Sequence, residues 1–181
     1  MNTASKDLIN EHKAIQIALN ILEKIQERLK KNDEVDKKDI IDLLDFLKEF
    51  ADKCHHGKEE IFLFPALEKA GIKKEGGPIG VMLLEHIKGR NLIKEMQKDM
   101  LNDLVNKTGF ITAASEYVRH MRDHIKKENT VLFPVIETSM SASEQKELFE
   151  NFENHEEKVI GEGRHEELHA LLDKFRNKYL N

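Results

Sequence analysis

A fourteen-residue phrase that occurs twice constrains the fold of this chain more than any other feature of its sequence. Residues 55–68 read HHGKEEIFLFPALE and residues 124–137 read HIKKENTVLFPVIE, with seven of the fourteen positions identical. A shorter phrase, Glu-His, also occurs twice, at residues 11–12 and 85–86. The chain therefore divides into two similar halves, each with one Glu-His pair followed by one His-x-x-x-Glu phrase.

Apolar residues recur with the period of an α-helix through nearly the whole chain. In the first segment, for example, Leu8, Ile15, Leu19 and Leu22 lie on one helical face. No stretch of useful length alternates with the two-residue period of a strand. The pattern predicts four long helices, at about 4–31, 36–70, 79–105 and 110–139.

The predicted fold class is all-α, an up-down-up-down four-helix bundle, because the connections between the helices are short. Charged residues make up 35% of the chain and aromatic residues only 6%, which favours long helices with many ion pairs over a β-sandwich or barrel. Ser141 and Glu144 form a capping-box pattern that opens a fifth helical segment. We therefore expect a bundle at residues 1–140 and a C-terminal helical extension at 141–181, packed on the bundle.

Pro65 and Pro134 lie inside the second and fourth predicted helices. A proline removes one backbone hydrogen bond from a helix. We therefore expect each helix to bend at its proline or to end nearby.

Six side chains are the candidate metal ligands. Residues four apart on a helix point from the same face, which pairs each histidine of the repeated phrase with its glutamate. The spacing from neighbouring apolar residues places these pairs, and the histidine of each Glu-His phrase, on the core side of their helices. The six residues are His12, His55, Glu59, His86, His124 and Glu128.

Six polar groups that converge in a bundle interior require a partner, because each buried polar group without one costs about 1–3 kcal/mol. Imidazole and carboxylate ligands without a thiolate suit iron, manganese or zinc. Six ligands exceed the four of a closed zinc site. They fit two metal ions, with both glutamates available to bridge them and with coordination positions left for a small ligand.

His56 and Glu60 repeat the four-residue spacing one position along the chain. His56 follows Glu49 and Asp52 at α-helical distances, which predicts that it faces solvent. Alignment of the two LFP sequences also pairs His124 with His55. We therefore expect His55 and Glu59 to be the ligands, with His56 and Glu60 as the alternative.

The combination of these motifs resembles the hemerythrin-like (HHE cation-binding) family. The matching elements are Glu11-His12, the two phrases that end in LFP, and GGPIGVMLLEHIKGR at residues 76–90. The resemblance covers residues 8–137. It implies a four-helix bundle that holds two iron ions, bridged by oxo or hydroxo groups and ligated by the six residues named above.

The chain departs from the oxygen-carrying members that it resembles. They have a second histidine where this sequence has Arg90, and an Asp five residues after the last histidine where this one has Glu128 four residues after. The set of four His and two Glu is more similar to bacterial di-iron proteins linked to iron–sulfur cluster repair and nitric oxide, and to iron- or oxygen-sensing relatives. Arg90 is expected either to steer an anionic ligand or to extend into solvent.

Three further residues near the expected site have roles that the sequence does not decide. Tyr117 shares a helical face with His124 and is either a proton or electron donor or a core residue. His120, four residues before His124, is a candidate support for a ligand. His165 is in phase with apolar residues of the extension and is a candidate for the mouth of the bundle.

The function expected from these features is binding, and reduction, of O2, peroxide or nitric oxide at a di-iron site. Sensing of oxygen or iron is the first alternative. Residues 165–169 read HEELH and match the zinc peptidase pattern H-E-x-x-H, which is the second and weaker one. The modest net charge of −5 argues against nucleic-acid and membrane partners. The sequence leaves open whether the protein forms a homodimer. One cysteine and no signal-peptide pattern suggest the cytoplasm.

Overall fold

A computed structural model of the protein describes residues 3–101 and 106–181 and shows an all-α fold. No β-strand occurs in these two ranges. The four long helices form the bundle, and two more helices follow. In chain order the helices are α1 (Ala4–Lys30), α2 (37–69), α3 (Pro78–Leu101), α4 (107–139), α5 (Ala142–Val159) and α6 (Arg164–Tyr179). The prediction of a four-helix bundle is confirmed, with α1 and α3 each packed between α2 and α4.

The two prolines neither break nor end their helices, because the backbone before each one widens into π-helical winding. Such winding occupies Glu59–Leu63 in α2 and Glu128–Leu132 in α4. The N–H of Phe64 bonds to the carbonyl of Glu59, five residues back, and Phe133 bonds to Glu128 in the same way. Each proline then lies in the first turn of the α-helical winding that follows, where its missing N–H is tolerated. Both helices continue past the proline and end four and five residues later, at residues 69 and 139, which agrees with the expected end nearby.

A third π-helical segment, Leu47–His56, lies in α2 just before the repeated phrase. Its hydrogen bonds run to the fifth residue back, so each turn holds more residues than an α-turn. Positions within and beyond this segment therefore leave the helical phase that an α-period predicts.

Two apolar clusters lie along the bundle, one toward each end. The larger cluster takes Leu22, Leu47 and Met121 among others, and the smaller one takes Leu8, Phe64 and Phe133. Each long helix passes from one cluster to the other. A polar layer lies between the two clusters, and the candidate ligands are in it.

The C-terminal extension consists of two helices, whereas the sequence pattern predicted one segment. Gly161 and Gly163 separate α5 from α6 with φ angles of 92° and 78°, a left-handed conformation that side chains other than glycine rarely adopt. The capping box at Ser141 and Glu144 is confirmed and opens α5. The extension completes both apolar clusters, with Leu148, Phe152, Leu168, Leu172, Phe175 and Tyr179 buried.

Two predicted helix boundaries lie around the connection between α3 and α4. The expected end of the third helix at Val105 lies outside the described residues. The fourth helix was expected to begin at about residue 110, but Asn106 caps the start of α4 at residue 107, and its side-chain oxygen accepts a hydrogen bond from Gly109 N–H at 3.0 Å.

Candidate metal centre

The structure brings all six candidate ligands to one place between the apolar clusters and adds a seventh, His56. None of the seven side chains is more than 3% exposed. Their ligand atoms form two groups, and within each group every ligand atom lies within 4.8 Å of the others. The His12 group is His12, His55, Glu59 and Glu128, and the His86 group is His56, Glu59, His86 and His124.

The two glutamates lie between the groups, each with one oxygen directed to either side. Glu59 Oε1 is 3.9 Å from His55 Nε2, while its Oε2 is 3.3 Å from His86 Nε2. Glu128 Oε2 is 3.1 Å from His12 Nε2, while its Oε1 is 3.1 Å from His124 Nε2. This is the arrangement that two carboxylates need in order to bridge two cations.

The Nδ1 atom of each predicted histidine ligand is held from outside the centre, which directs the Nε2 atom inward. His55 Nδ1 lies 2.7 Å from Glu11 Oε2, and His124 Nδ1 lies 3.0 Å from Glu85 Oε2. The remaining two contacts are His86 Nδ1 to Glu60 Oε1 at 2.7 Å and His12 Nδ1 to Asn129 Oδ1 at 2.9 Å. Outer hydrogen bonds of this kind fix the tautomer and orientation of metal-binding histidines.

These supports follow the sequence repeat. Glu11 and Glu85, the glutamates of the two Glu-His phrases, each hold the histidine of the helix that follows. The LFP phenylalanines stack on histidines of the opposite half: Phe133 on His12, with ring centroids 5.3 Å apart, and Phe64 on His86, at 5.8 Å. The phrase thus occurs twice, and each half of the chain supplies residues that surround the histidines of the other half.

Buried polar atoms without hydrogen-bond partners show that the residues fit a metal. Within the described part of the chain they include both carboxylate oxygens of Glu59 and Glu128, Nε2 of His86 and His124, and both ring nitrogens of His56. Each such atom costs about 1–3 kcal/mol unless a partner compensates it. Cations ligated by these atoms would satisfy all of them.

The contact between His12 and His55 supports the same conclusion. Their Nε2 atoms are 3.0 Å apart. In the neutral form, each ring donates its Nδ1–H outward, to an amide oxygen of Asn129 and to the carboxylate of Glu11, and both Nε2 atoms then carry lone pairs. Two facing lone pairs repel each other, and a cation ligated by both nitrogens removes the repulsion.

The electrostatics of the centre favour positive charge. Burial alone would lower the pKa of His86, but its contacts with the carboxyl groups of Glu128, Glu59 and Glu60 outweigh burial and raise that pKa to about 11. Burial likewise opposes a charge on His124, and the attraction of Glu128 and Glu85 raises its pKa to about 9. The pKa of Glu128 is held well below its usual value against burial, chiefly by His124. Glu128 thus remains ionised in a buried site.

The expectation that His56 faces solvent was wrong. Its ring is buried and stacks on His86 with centroids 3.9 Å apart and planes at 14°. The π-helical winding of Leu47–His56 explains the error, because it brings the consecutive residues His55 and His56 to the same interior side. One signal was present in the sequence: the residue that aligns with His56 in the second phrase is Ile125, an apolar residue.

Glu60 does not replace Glu59, because it lies outside the two groups and holds His86. Arg90 donates from Nε to Asp52 and from Nη2 to Glu60, both at 2.6 Å. Arg90 is therefore engaged by two carboxylates rather than extended freely into solvent.

His120 and Tyr117 lie beside the centre without joining either ligand group. His120 donates from Nε2 to the backbone carbonyl of Glu85 at 2.8 Å, which secures the residue that holds His124. Tyr117 is buried in the larger apolar cluster, and burial raises the pKa of its hydroxyl.

The H-E-x-x-H residues lie on the surface helix α6 and not at the centre. His165 and His169 pack against the ring of Phe50, and His165 Nε2 lies 3.4 Å from Glu156 Oε1. No group of three metal-ligand side chains in the described ranges includes either histidine. The arrangement gives the peptidase alternative no support.

A helical bundle with a buried cluster of imidazoles and carboxylates defines a metal-binding protein. Residues 3–136, about three quarters of the chain, match the family model described as the hemerythrin HHE cation binding domain. The chain therefore belongs to this family, and the resemblance seen in the sequence is confirmed.

The relatives that the chain matches are distant. Uncharacterized proteins of Mycobacterium tuberculosis and Mycobacterium bovis are 29% identical over 164 residues, which is 88% of this chain and 64% of each relative. The chain thus matches less than two thirds of their length. The iron-sulfur cluster repair protein YtfE of Dickeya chrysanthemi is 35% identical over 86 residues, 44% of this chain and 39% of that protein. No solved structure matches the chain.

Proposed function

We propose that this protein is a non-haem di-iron protein that binds and reduces O2, peroxide or nitric oxide at the centre formed by the His12 and His86 groups. The observation that carries the proposal is that two sets of ligand atoms share Glu59, with Glu128 also directed to both sides. One ion in each group, bridged by the two carboxylates, would satisfy the unpartnered atoms. A relative named as an iron-sulfur cluster repair protein supports iron over zinc or manganese.

The residues of the chain would bind and orient the ions, and they would exclude bulk water. The apolar clusters close the centre from both ends of the bundle, and the outer carboxylates fix the imidazole rings. Iron, when bound, supplies the electron transfer that the side chains of this site cannot provide themselves. Seven ligands for two ions leave positions for a small ligand.

Anaerobic loading with ferrous iron tests this proposal. We expect about two irons per chain and oxidation of the loaded protein by peroxide or nitric oxide at a rate well above that of ferrous iron in buffer. Glu128→Gln should lose one iron, because an amide bridges two cations poorly. A protein that binds one zinc tightly in preference to iron, or that loads no iron, contradicts the proposal.

A sensing role is the second candidate, favoured by one contact. Glu156 of the C-terminal extension bonds to Lys58, which is next to the ligand Glu59. A sensor should change the protease sensitivity of α5 and α6 when iron is oxidised or removed. Unchanged cleavage in all three states, together with rapid peroxide or nitric oxide turnover, would leave the enzyme as the better account.

The cellular location and the partners of the protein are also part of the proposal. A single buried cysteine fits a reducing cytoplasm. In the described ranges, no helix combines the length and apolar character that a membrane span needs. We propose a small diatomic or peroxidic ligand as the partner, no nucleic-acid or membrane partner, and a homodimer as an assembly to be tested by light scattering.

A further inference from the structure

Lys58 is a fully buried lysine beside the metal centre. All three of its ammonium donors are used: Nζ lies 3.0 Å from Asp7 Oδ2, 2.7 Å from Glu11 Oε1 and 2.8 Å from Glu156 Oε2. A buried charge is costly unless it is paired and fully hydrogen-bonded. The cluster therefore holds together only while all its members stay in place.

This cluster reaches the metal centre through Glu11. One oxygen of Glu11 accepts from Lys58, while the other contacts His55 Nδ1. Lys58 therefore fixes the carboxylate that fixes the histidine. A substitution at Lys58 would therefore alter the orientation of His55 through Glu11, although the two side chains are not in contact.

The sequence repeat provides an internal comparison. Lys127 aligns with Lys58, and its ammonium bonds to Glu85 Oε1 while Glu85 Oε2 holds His124. The same Lys–Glu–His arrangement thus supports a histidine in each half of the centre. The two differ in exposure, since the side chain of Lys127 is 46% exposed and that of Lys58 is 0% exposed.

The C-terminal extension accounts for this difference. Helix α5 covers Lys58, with the ring of Phe152 centred 5.8 Å from Nζ and the carboxylate of Glu156 bonded to it. The other oxygen of Glu156 lies 3.4 Å from His165 of α6, so both helices of the extension are tied to the cluster. The family model ends at residue 136 and does not include these helices.

We propose that Glu156 and Lys58 are positioning residues through which the C-terminal extension supports His55, so that the His12 group is the tighter of the two metal positions. The proposal rests on the proposed function only in requiring that the centre binds two ions. Charges that are exposed to solvent interact weakly and are screened by salt, whereas buried ones are screened much less. The Lys58 support should therefore resist salt, and the Lys127 support should not.

Release of ferrous iron to a coloured chelator under anaerobic conditions tests the proposal. The wild-type protein should release its two irons in two phases, and raising salt from about 0.1 to 1 M should accelerate only the faster one. Glu156→Gln should accelerate the slower phase about tenfold, the lower end of the effect typical of outer partners of metal ligands. Glu157→Gln, an exposed neighbour, should release iron as the wild type does.

The repeat supplies a second pair of variants. Lys58→Met should accelerate the slower phase at least tenfold, while Lys127→Met should change the faster phase less than about threefold, because an exposed ion pair contributes little. Proton NMR of the metal-free protein adds a readout that does not depend on iron, since the His55 Nδ1–H signal should shift in Glu156→Gln and not in Glu157→Gln.

Two results would overturn the proposal. Glu156→Gln could release both irons at wild-type rates, or Lys58→Met and Lys127→Met could have equal effects. If Lys58→Met does not fold, Glu156→Gln and its NMR signal still decide. A wild-type protein that holds no pair of irons would refute the proposed function itself, which distinguishes that failure from the failure of this inference.

Discussion

Replacing His56 with alanine should separate metal binding from folding. In the metal-free protein two effects oppose each other. Truncation of a large buried side chain typically costs about 2–5 kcal/mol of stability. The same change removes two buried ring nitrogens that have no hydrogen-bond partner, which are unfavourable by about 1–3 kcal/mol each. The free energy of unfolding of metal-free His56→Ala should therefore lie within about 2 kcal/mol of the wild-type value.

Metal binding should respond much more strongly to the same substitution. The His86 group has three imidazoles and would lose the one that stacks on His86 at 3.9 Å. Loss of an outer partner of a ligand costs about 10–100-fold in affinity, so loss of a ligand should cost at least the upper end of that range. A factor of 100 corresponds to about 2.7 kcal/mol.

Anaerobic iron titration with urea denaturation measures both quantities. At a free iron concentration ten times the wild-type Kd, His56→Ala should hold about one iron where the wild type holds two. His169→Ala, on the exposed side of α6, is the control and should hold two. A His56→Ala protein that binds two irons with unchanged affinity would show that the ring is only a packing element. A metal-free variant destabilised by more than about 4 kcal/mol would show that the gain from removing the two unpartnered nitrogens does not offset the cost of truncating the side chain.

Two further predictions concern the extension and the cysteine. The buried carboxylate of Asp39 accepts from Tyr179 at 2.6 Å and from Lys178, and although burial opposes ionisation these contacts hold its pKa below the usual value. The stability that ionised Asp39 contributes is therefore fully present above the pKa of the unfolded state and is lost as the pH falls through the lower pKa of the folded state. Asp39→Asn should accordingly destabilise the protein by about 1.5–3 kcal/mol at pH 7 and by much less at pH 3. Urea denaturation at both pH values checks this, and an equal loss at the two would contradict it. Burial, together with nearby Glu11, raises the pKa of the Cys54 thiol, so iodoacetamide should label native protein far more slowly than protein in urea, as mass spectrometry would show; equal rates would mean that the thiol is accessible.

Helical periodicity in the sequence was sufficient to predict that the six candidate ligands converge in the bundle interior. His12 between apolar neighbours, and the four-residue spacing of His55 and Glu59, both follow from a regular α-helix, and the structure places these side chains in one layer. Whether they ligate a metal stays a prediction. The break between α5 and α6 was also readable in principle, since Gly161 and Gly163 are typical helix terminators.

The remaining features depend on tertiary structure. His56 was misplaced because an α-period was extended through a segment that winds as a π-helix. The Glu-His phrases marked Glu11 and Glu85, but each of these carboxylates holds a histidine of another helix, 44 and 39 residues away. Likewise, nothing in the sequence near Lys58 shows that Glu156 covers it, because the two residues are 98 positions apart.

Anomalous diffraction from crystals of the iron-loaded protein tests the central claim most directly. Two iron peaks should lie within the polar layer, one against His12 and His55 and the other against His56, His86 and His124, with Glu59 and Glu128 between them. A single peak at this layer, or peaks only on surface histidines such as His165 and His169, would contradict a two-metal centre built by the repeated phrase.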